Sequence, residues 1–204
     1  MGKISREESQ KRREEIIDVA QELYQERPFQ DINIKEIGQR LSFTRTAIYT
    51  YFDNKEEIYL ALLEREYRLW EQDLQELLEV APMDQAQFAR SLAQSLDKRL
   101  TLLKISAIDM IAIDAKSRLD CLISFKRVYG RALDLVGQLL ERHFPERTAE
   151  DNRSFVFAFF PFLYGVYPYT SVTDKQRQAM EVAQVPYHYM TVAEMIENCI
   201  LRLL

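Results

Sequence analysis

The stretch LSFTRTAIYTYFDNK, residues 41–55, concentrates hydroxyl groups and basic side chains in a short space and contains no glycine. If it forms a helix that begins after Thr44, the free backbone N–H groups of the first turn can bind a phosphate. Arg45 can hydrogen-bond to two acceptors of guanine, and Thr46 can donate or accept a hydrogen bond. Ala47 can contact the methyl group of thymine. These are the contacts by which a helix reads base edges in a DNA groove.

Longer side chains follow at positions that flank such a groove. Tyr49 and Tyr51 have the length and the hydroxyl group to reach phosphates beside it, and Lys55 can pair with a further phosphate. The predicted DNA contacts are Asn33, Thr44, Arg45, Thr46, Ala47, Tyr49, Thr50, Tyr51 and Lys55. For Thr44, Tyr49 and Lys55 the alternative is capping and surface filling, but the combined pattern favours DNA contact.

Two helices are predicted to precede this stretch and to support it. The first begins at Ser5, which forms a capping-box pattern with Glu8, and it ends before Pro28. The second begins at Asn33, which forms the same pattern with Glu36. Both helices carry apolar residues at helical spacing, so they are expected to pack together.

A tight turn at Ser42 then leads into the third helix. The hydroxyl of Thr44 is expected to cap this helix by accepting a backbone N–H of its first turn. Ile48 and Phe52 lie four residues apart and therefore share one face, which we expect to pack into the three-helix core. Thr46 and Thr50 then point nearly the opposite way, toward a binding partner.

The remainder of the chain indicates helices alone. Only 5 Gly and 6 Pro occur in 204 residues, whereas strand-rich folds need many such residues in their turns. Apolar residues recur every three or four positions, which is the helical period. The sequence therefore predicts an all-α fold, with helices at about 55–80, 86–103, 105–115, 117–143 and 149–167, a looser segment at 170–190, and a last helix that begins at Thr191 with a capping box to Glu194.

Charge is distributed unevenly along the chain. Residues 1–55 contain ten Lys or Arg and ten Asp or Glu, so the formal net charge of −5 comes from the remainder, with 17 basic and 22 acidic residues. Local placement must therefore attract a nucleic acid, because net charge does not. The basic run KRR at 11–13 could be a solvated helix face or could contact phosphate, and both readings stay open.

Other classes of function lack their motifs. The sequence has no nucleophile elbow, phosphate-binding glycine loop or dinucleotide fingerprint, so we expect no enzyme and no cofactor. His143 and His188 have no second ligand at metal spacing, so we expect no metal. Cys121 and Cys199 are far apart, which indicates reduced thiols and a cytoplasmic protein. No run of 18 uncharged apolar residues occurs, so no membrane partner is expected.

Residues 10–58 resemble the DNA-binding domain of the tetracycline-repressor (TetR) family of bacterial transcriptional regulators. The resemblance is carried by FQDINIKEIGQRLSFTRTAIYTYFDNKEEIY, in which Ile34, Ile37, Thr44, Tyr49, Phe52 and Lys55 occupy the family's positions. It implies a helix-turn-helix DNA-binding domain over residues 1–54 and a helical effector-binding and dimerisation domain over residues 55–204. The implied function is that of a repressor released from a palindromic operator by a small molecule.

Two departures from the family pattern affect the site. Ser42 must fit a turn where relatives commonly have glycine, which serine tolerates at some cost. Thr46 places a side chain where many relatives have glycine in the recognition helix, so the base preference should differ from theirs. Neither departure affects the expected fold.

The resemblance also implies a symmetric homodimer formed by the last two long helices. The apolar stripes on 149–167 and 191–204 agree, because they present more apolar surface than one small subunit covers easily. The predicted interface residues are Phe155, Phe159, Phe162, Val192, Met195, Ile196, Cys199, Ile200 and Leu203. Residues 56–148 would contain the effector pocket, whose lining residues stay undetermined.

Several features also have a purely structural interpretation. The aromatic residues of the body (Trp70, Phe88, Phe125, Tyr129, Phe159, Phe160, Tyr164 and Tyr167) are more often core than ligand contacts. Asp109 and Asp114 could recognise a cationic effector, although a solvated role is favoured. A rival function is a helical ligand-binding or adaptor protein whose first domain no longer binds DNA. Affinity for DNA that falls steeply with salt would distinguish the two functions.

Overall fold

The computed structural model describes residues 5–108 and 110–204, and these residues are helical and contain no strand. The all-α prediction is confirmed. The α-helices are α1 Arg6–Glu26, α2 Ile34–Arg40, α3 Lys55–Leu78, α4 Gln85–Asp97, α5 Leu100–Ser106, α6 Met110–Lys116, α7 Leu119–His143, α8 Ala149–Thr170, α9 Asp174–Val182 and α10 Val192–Leu203. Short 3₁₀ helices occupy Phe29–Asp31 and Arg45–Thr50.

The helices form two compact units that alternate along the chain. The first unit runs to Arg65 and also includes Ile108–Arg127. The second unit consists of Glu66–Ala107 and Val128–Leu204. Both α3 and α7 therefore contribute residues to each unit. This division differs from the expected domain boundary after residue 54, which stays a prediction.

In the first unit, local capping starts α1 and α2 where the sequence predicts. The Ser5 hydroxyl accepts the backbone N–H of Glu8 at 3.0 Å. At α2 the capping box is complete, because Asn33 Oδ1 accepts the N–H of Glu36 and Glu36 Oε2 accepts the N–H of Asn33, both at 3.1 Å. The apolar face of α1 is buried, and α1 packs against α2.

The third helix is shorter and tighter than predicted. Arg45–Thr50 is a 3₁₀ helix, in which the N–H of Ala47 donates to the carbonyl of Thr44 at 2.9 Å and that of Tyr51 to Ile48 at 2.8 Å. The prediction that the Thr44 hydroxyl caps this helix is wrong, since its side chain makes no capping hydrogen bond. Short helical segments of this length often adopt 3₁₀ geometry.

In the second unit, the helix predicted over 86–103 is interrupted between α4 and α5. Arg99 leaves the helical region, with φ −113° and ψ 43°. Its guanidinium is held by Asp73 at 2.7 Å and by the carbonyl of Leu69 at 3.4 Å. No glycine or proline marks this break in the sequence, so only the tertiary ion pair reveals it.

The segment predicted to be loose, 170–190, contains a helix that the sequence pattern does not indicate, α9. The Thr173 hydroxyl caps α9 by accepting the N–H of Gln176 at 3.2 Å. None of the residues of α9 is buried, so it carries no apolar stripe to indicate it. The next helix, α10, begins as predicted: Thr191 Oγ1 accepts the N–H of Glu194 at 3.2 Å, and Glu194 Oε2 accepts that of Thr191 at 2.7 Å.

The core of the second unit includes α10, which packs against α4 and α8. The interface stays a prediction, and five of its nine residues are buried within their own subunit: Phe155, Phe159, Val192, Ile196 and Ile200. The remaining four are half-buried: Phe162, Met195, Cys199 and Leu203.

Among the described residues, no single helix combines the length and apolar character needed to cross a membrane. Only α8 and α9 taken together reach that length and composition, and they meet at a bend of 85°. Three aromatic side chains of α8 are buried in the core, those of Phe155, Phe159 and Phe160.

Candidate nucleic-acid interface

The helix Arg45–Thr50 has two different faces. Ile48 is completely buried and Phe52 is 2% exposed, so one face is fixed in the core of the first unit. Tyr49 is 48% exposed on the other side. The polar residues around Tyr49 are also accessible, with Thr44, Arg45, Thr46 and Thr50 exposed and Ala47 and Tyr51 half-buried. Seven of the nine predicted contacts are therefore accessible within one continuous stretch of chain, 44–51.

The turn before this helix is fixed by a carboxylate of α1. Glu15 Oε1 accepts the backbone N–H of Ser42 at 2.7 Å, and Oε2 accepts its hydroxyl at 2.9 Å. The expected cost of serine at this position does not arise, because Gln184 is the only non-glycine residue with a positive φ in the described part of the chain. Serine here has a function of its own, since glycine could not donate the second hydrogen bond.

A glycine allows α2 and the exposed helix to approach closely. A methyl group added at Gly38 would lie 2.6 Å from Cγ of Arg45, 2.8 Å from its Cβ and 3.3 Å from its Cα. The stem of Arg45 therefore rests on the bare backbone of α2. This contact sets where the guanidinium of Arg45 leaves the protein surface.

The basic run at 11–13 is divided between packing and exposure. The Arg12 guanidinium lies 5.4 Å from the ring centre of Phe43 and pairs with Glu8 at 3.1 Å. The Arg13 guanidinium lies 5.3 Å from the ring centre of Phe52. Lys11 is exposed. Two of the three cations thus line the border of the candidate interface, where cation–π contacts hold them in place.

Asn33 and Lys55, the two other predicted contacts, are held by their own chain. The Asn33 side chain caps α2, as described above. The Lys55 ammonium donates to the carbonyls of Phe29 and Ile32, both at 2.9 Å, and lies 4.3 Å from the ring centre of Phe29. Burial lowers the pKa of Lys55 from its usual value, because the ammonium loses hydration. Their contacts with DNA stay predictions.

Glu57 and Arg118, which hold the end of the exposed helix, are not among the residues that the sequence pattern indicates. Glu57 is 1% exposed, and its carboxylate accepts hydrogen bonds from the guanidinium of Arg118. Burial alone would raise the pKa of Glu57, but the hydrogen bonds from Arg118 and from the backbone N–H groups of Asp53 and Arg118 outweigh it and lower the pKa. Sixty-one residues separate the pair, so no local pattern could indicate it.

The side chains of His143 and Asp114, two further candidate ligands, interact with other residues of the chain. His143 Nδ1 accepts the backbone N–H of Met83 at 3.2 Å. Asp114 pairs with Lys126 at 3.5 Å, whereas Asp109 lies outside the described residues. Within the part of the chain that the structure describes, no group of three His, Cys, Asp or Glu residues is placed to hold a metal ion.

The aromatic side chains of the body divide between core and partial exposure. Trp70, Phe88, Phe125, Phe159 and Phe160 are buried, while Tyr129, Tyr164 and Tyr167 are half-buried. The Trp70 indole donates to the Ser95 hydroxyl at 2.9 Å. Its ring centre lies 5.7 Å from that of Phe160. These contacts give the buried rings a packing role.

Solved structures of bacterial regulators share this fold. The fatty acid degradation regulator FadR from Bacillus halodurans is 16% identical, with a TM-score of 0.61 over 95% of this chain and 94% of that chain. A TetR-family transcriptional regulator from Mesorhizobium loti is 17% identical, with a TM-score of 0.60 over 98% and 95%. FadR from Bacillus subtilis in complex with stearoyl-CoA is 17% identical, with a TM-score of 0.59 over 93% and 95%.

Family matches cover nearly the whole chain. Residues 16–62 match the family described as bacterial regulatory proteins, tetR family. Residues 64–204 match the family described as tetracyclin repressor-like, C-terminal domain. A comparison with curated proteins found no match. The two family matches, with the exposed helix that follows a tight turn, confirm the resemblance seen in the sequence: the chain belongs to the TetR family and is a helix-turn-helix, DNA-binding transcriptional regulator.

Proposed function

We propose that this regulator is a homodimeric, cytoplasmic repressor that binds a palindromic operator and is released by a small-molecule effector. The observation that carries the proposal is the exposed polar face of Arg45–Thr50, whose opposite face is buried through Ile48. A helix held in this way can enter the major groove without losing core contacts. In such motifs the first residues of the helix contact base edges.

Within this face, base reading and phosphate contact are assigned to different residues. Arg45 and Thr46 are exposed at the start of the helix, where base edges are read. Tyr49, Thr50 and Tyr51 follow and are assigned to phosphates beside the groove. Thr44 precedes the helix and is assigned to a phosphate at its N-terminal end.

The homodimer is supported by an apolar groove on the second unit. The groove has a volume of about 750 Å³, and the residues that line it are Phe162, Gly165, Tyr169, Met190, Met195, Asn198, Cys199 and Arg202. Elsewhere on α8, Phe157 is 68% exposed and lines a second groove with Leu133 and Gly137 of α7. Exposed apolar surface of this kind on a regulator that reads a two-fold symmetric site suits a two-fold symmetric interface.

The decisive experiment is the selection of bound sequences from a random pool of duplex DNA with the full chain. We expect two inverted half-sites with centres about 34–36 Å apart, the spacing that two recognition helices read on one side of the duplex. The logarithm of the binding constant should fall linearly with the logarithm of salt concentration, with a slope of about 0.9 per phosphate neutralised by a basic side chain. No enrichment, with no salt-dependent binding at micromolar concentration, would favour the adaptor function instead.

Two variants test the assignment of residues. Tyr49→Ala should weaken binding to every enriched sequence by a similar factor and leave the salt slope unchanged, because an uncharged hydroxyl neutralises no phosphate. Thr46→Ala should instead change which sequences are enriched, because it alters base contact. Tyr189→Ala is the matched control, since Tyr189 is 43% exposed in the second unit, close to the 48% of Tyr49. Equal losses in the Tyr49 variant and the control would contradict the assignment.

The effector is tested by release from the selected operator. Stearoyl-CoA is the first probe, because the structurally similar FadR from Bacillus subtilis was solved in complex with it. An effector should lower operator affinity and raise the melting temperature of the free protein through binding to the folded state. A broad panel of metabolites that changes neither quantity would contradict regulation by a small molecule.

A further inference from the structure

Arg118, which lies between α6 and α7, is hydrogen-bonded to the end of the exposed helix. Its Nη2 donates to the backbone carbonyl of Tyr51 at 3.1 Å. Tyr51 is the residue that ends the helix Arg45–Thr50. Arg118, Tyr51 and the helix Arg45–Thr50 all belong to the first compact unit. A residue far along the chain is thus in direct contact with the backbone of the candidate reading helix.

The same guanidinium binds both oxygens of the buried carboxylate of Glu57. Arg118 Nε donates to Oε1 at 2.9 Å, and Nη2 donates to Oε2 at 3.0 Å. The backbone N–H of Arg118 also donates to Oε1 at 2.9 Å. Such two-point geometry fixes the plane of the guanidinium, whereas a lysine could not reproduce it.

Glu57 also binds the backbone that follows the helix Arg45–Thr50. Its Oε2 accepts the backbone N–H of Asp53 at 2.9 Å. The Asn54 side chain adds a further contact, because its Nδ2 donates to the carbonyl of Lys116 at 2.9 Å. Tyr51, Asp53 and Asn54 are therefore all tied to the same segment of chain, 116–118, either directly or through Glu57.

We propose that Arg118 is a positioning residue for operator binding: it sets the angle of the helix Arg45–Thr50 through the Tyr51 carbonyl and Glu57, and does not itself contact DNA. Burial of Ile48 and Phe52 fixes which face of the helix points outward. It does not fix rotation of the helix end, which Arg118 restrains. The inference rests on the proposed DNA-binding function and adds to it a residue outside the helix-turn-helix.

The test compares operator binding by the wild type and by the double variant Glu57→Gln/Arg118→Met. The double variant removes the guanidinium and also the buried charge that would otherwise be left unpaired, so folding is retained. We expect operator affinity to fall about tenfold, in the range typical of residues that couple to a site without touching ligand. Affinity for non-specific DNA and the salt slope should stay at their wild-type values, because no phosphate contact is lost.

Glu71→Gln/Arg131→Met is the matched control. Arg131 of α7 pairs with Glu71 of α3 at 3.2 Å, so this double variant likewise removes both partners of an ion pair to α3, but within the second unit. Its operator affinity should equal that of the wild type. Melting curves for every variant set a temperature at which all variants are folded. Hydrogen exchange at the Asp53 amide should be faster in the Glu57→Gln/Arg118→Met variant, because the amide then donates to a neutral acceptor and its hydrogen bond is weaker.

Three results would contradict the positioning role of Arg118 or the proposed function. A folded double variant that binds the operator as tightly as the wild type would overturn the inference. A salt slope that falls by about 0.9 in the double variant would overturn it differently, by showing that Arg118 neutralises a phosphate directly. If the wild type itself selects no DNA, the proposed function fails first, and that result is distinguishable because it needs no variant.

Discussion

The place where Gly38 supports Arg45 shows how one missing side chain shapes the reading surface. Cγ and Cβ of Arg45 occupy the space that a methyl group at position 38 would need, and its Cα lies only 3.3 Å from that position. Cγ could rotate away, but Cβ and Cα could move only together with the backbone. Glycine at this position is therefore required by the close approach of two helices and not by an unusual φ, since the φ of Gly38 is not positive.

Gly38→Ala should therefore weaken operator binding and reduce stability. Alanine in a helix interior normally stabilises by about 0.5–1 kcal/mol relative to glycine. Here overpacking should reverse the sign and cost about 1–3 kcal/mol of unfolding free energy, measured by chemical denaturation. Gly130→Ala is the control, because a methyl group there meets nothing within 4 Å, so it should stabilise. Equal gains in both variants would contradict the tight contact.

At the scale of single elements, the sequence was most informative where the determinants are local. The capping boxes at Asn33 and Thr191 each involve residues three apart, and both helices start as predicted. The buried positions Ile48 and Phe52 also follow from helical spacing. These features need no knowledge of distant parts of the chain.

Features that depend on distant contacts could not be predicted. The interruption at Arg99 depends on Asp73, and the support of Tyr51 depends on Arg118. The interface prediction took the apolar stripe of the last helix as one surface. In the structure its innermost residues pack against α4 and α8, and only its edge stays accessible. Periodicity identifies an apolar face but does not say which neighbour covers it.

Ile200 illustrates this division within α10. It is completely buried, whereas the adjacent Leu201 is 41% exposed. Ile200→Ala should lower the unfolding free energy by about 2–5 kcal/mol through loss of packing and creation of a cavity. Leu201→Ala should change it by no more than about 0.5 kcal/mol. Urea denaturation of both variants measures the difference, and similar small changes in the two would contradict the packing of α10 in the core.

For the whole molecule, the proposed dimer should depend on the half-buried edge of the apolar groove. Met195→Glu places a charge among Phe162, Tyr169 and Cys199, where a partner would have to desolvate it. We expect the mass in solution to fall to that of one chain at micromolar concentration while the helical signal in circular dichroism is unchanged. Operator affinity should fall in parallel, because one subunit reads only one half-site.

Ile111→Glu is the control for this variant. Ile111 is 83% exposed on α6 and belongs to the first unit, so a charge there should leave the mass unchanged. A Met195→Glu variant that keeps twice the mass of the chain would show that the groove is not the interface. Light scattering after size exclusion gives both masses directly.

The alternation of the two units along the chain limits how this protein can be re-engineered. A DNA-reading head cut out at Arg65 would lack Ile108–Arg127, and with it the cation that neutralises the buried carboxylate of Glu57. An uncompensated charge of this kind costs about 3–5 kcal/mol, a large share of the ~5–15 kcal/mol that stabilises a typical domain. Chimaeras that fuse this unit to the sensing domain of another protein should therefore retain Ile108–Arg127, because two separate stretches of the chain form the unit.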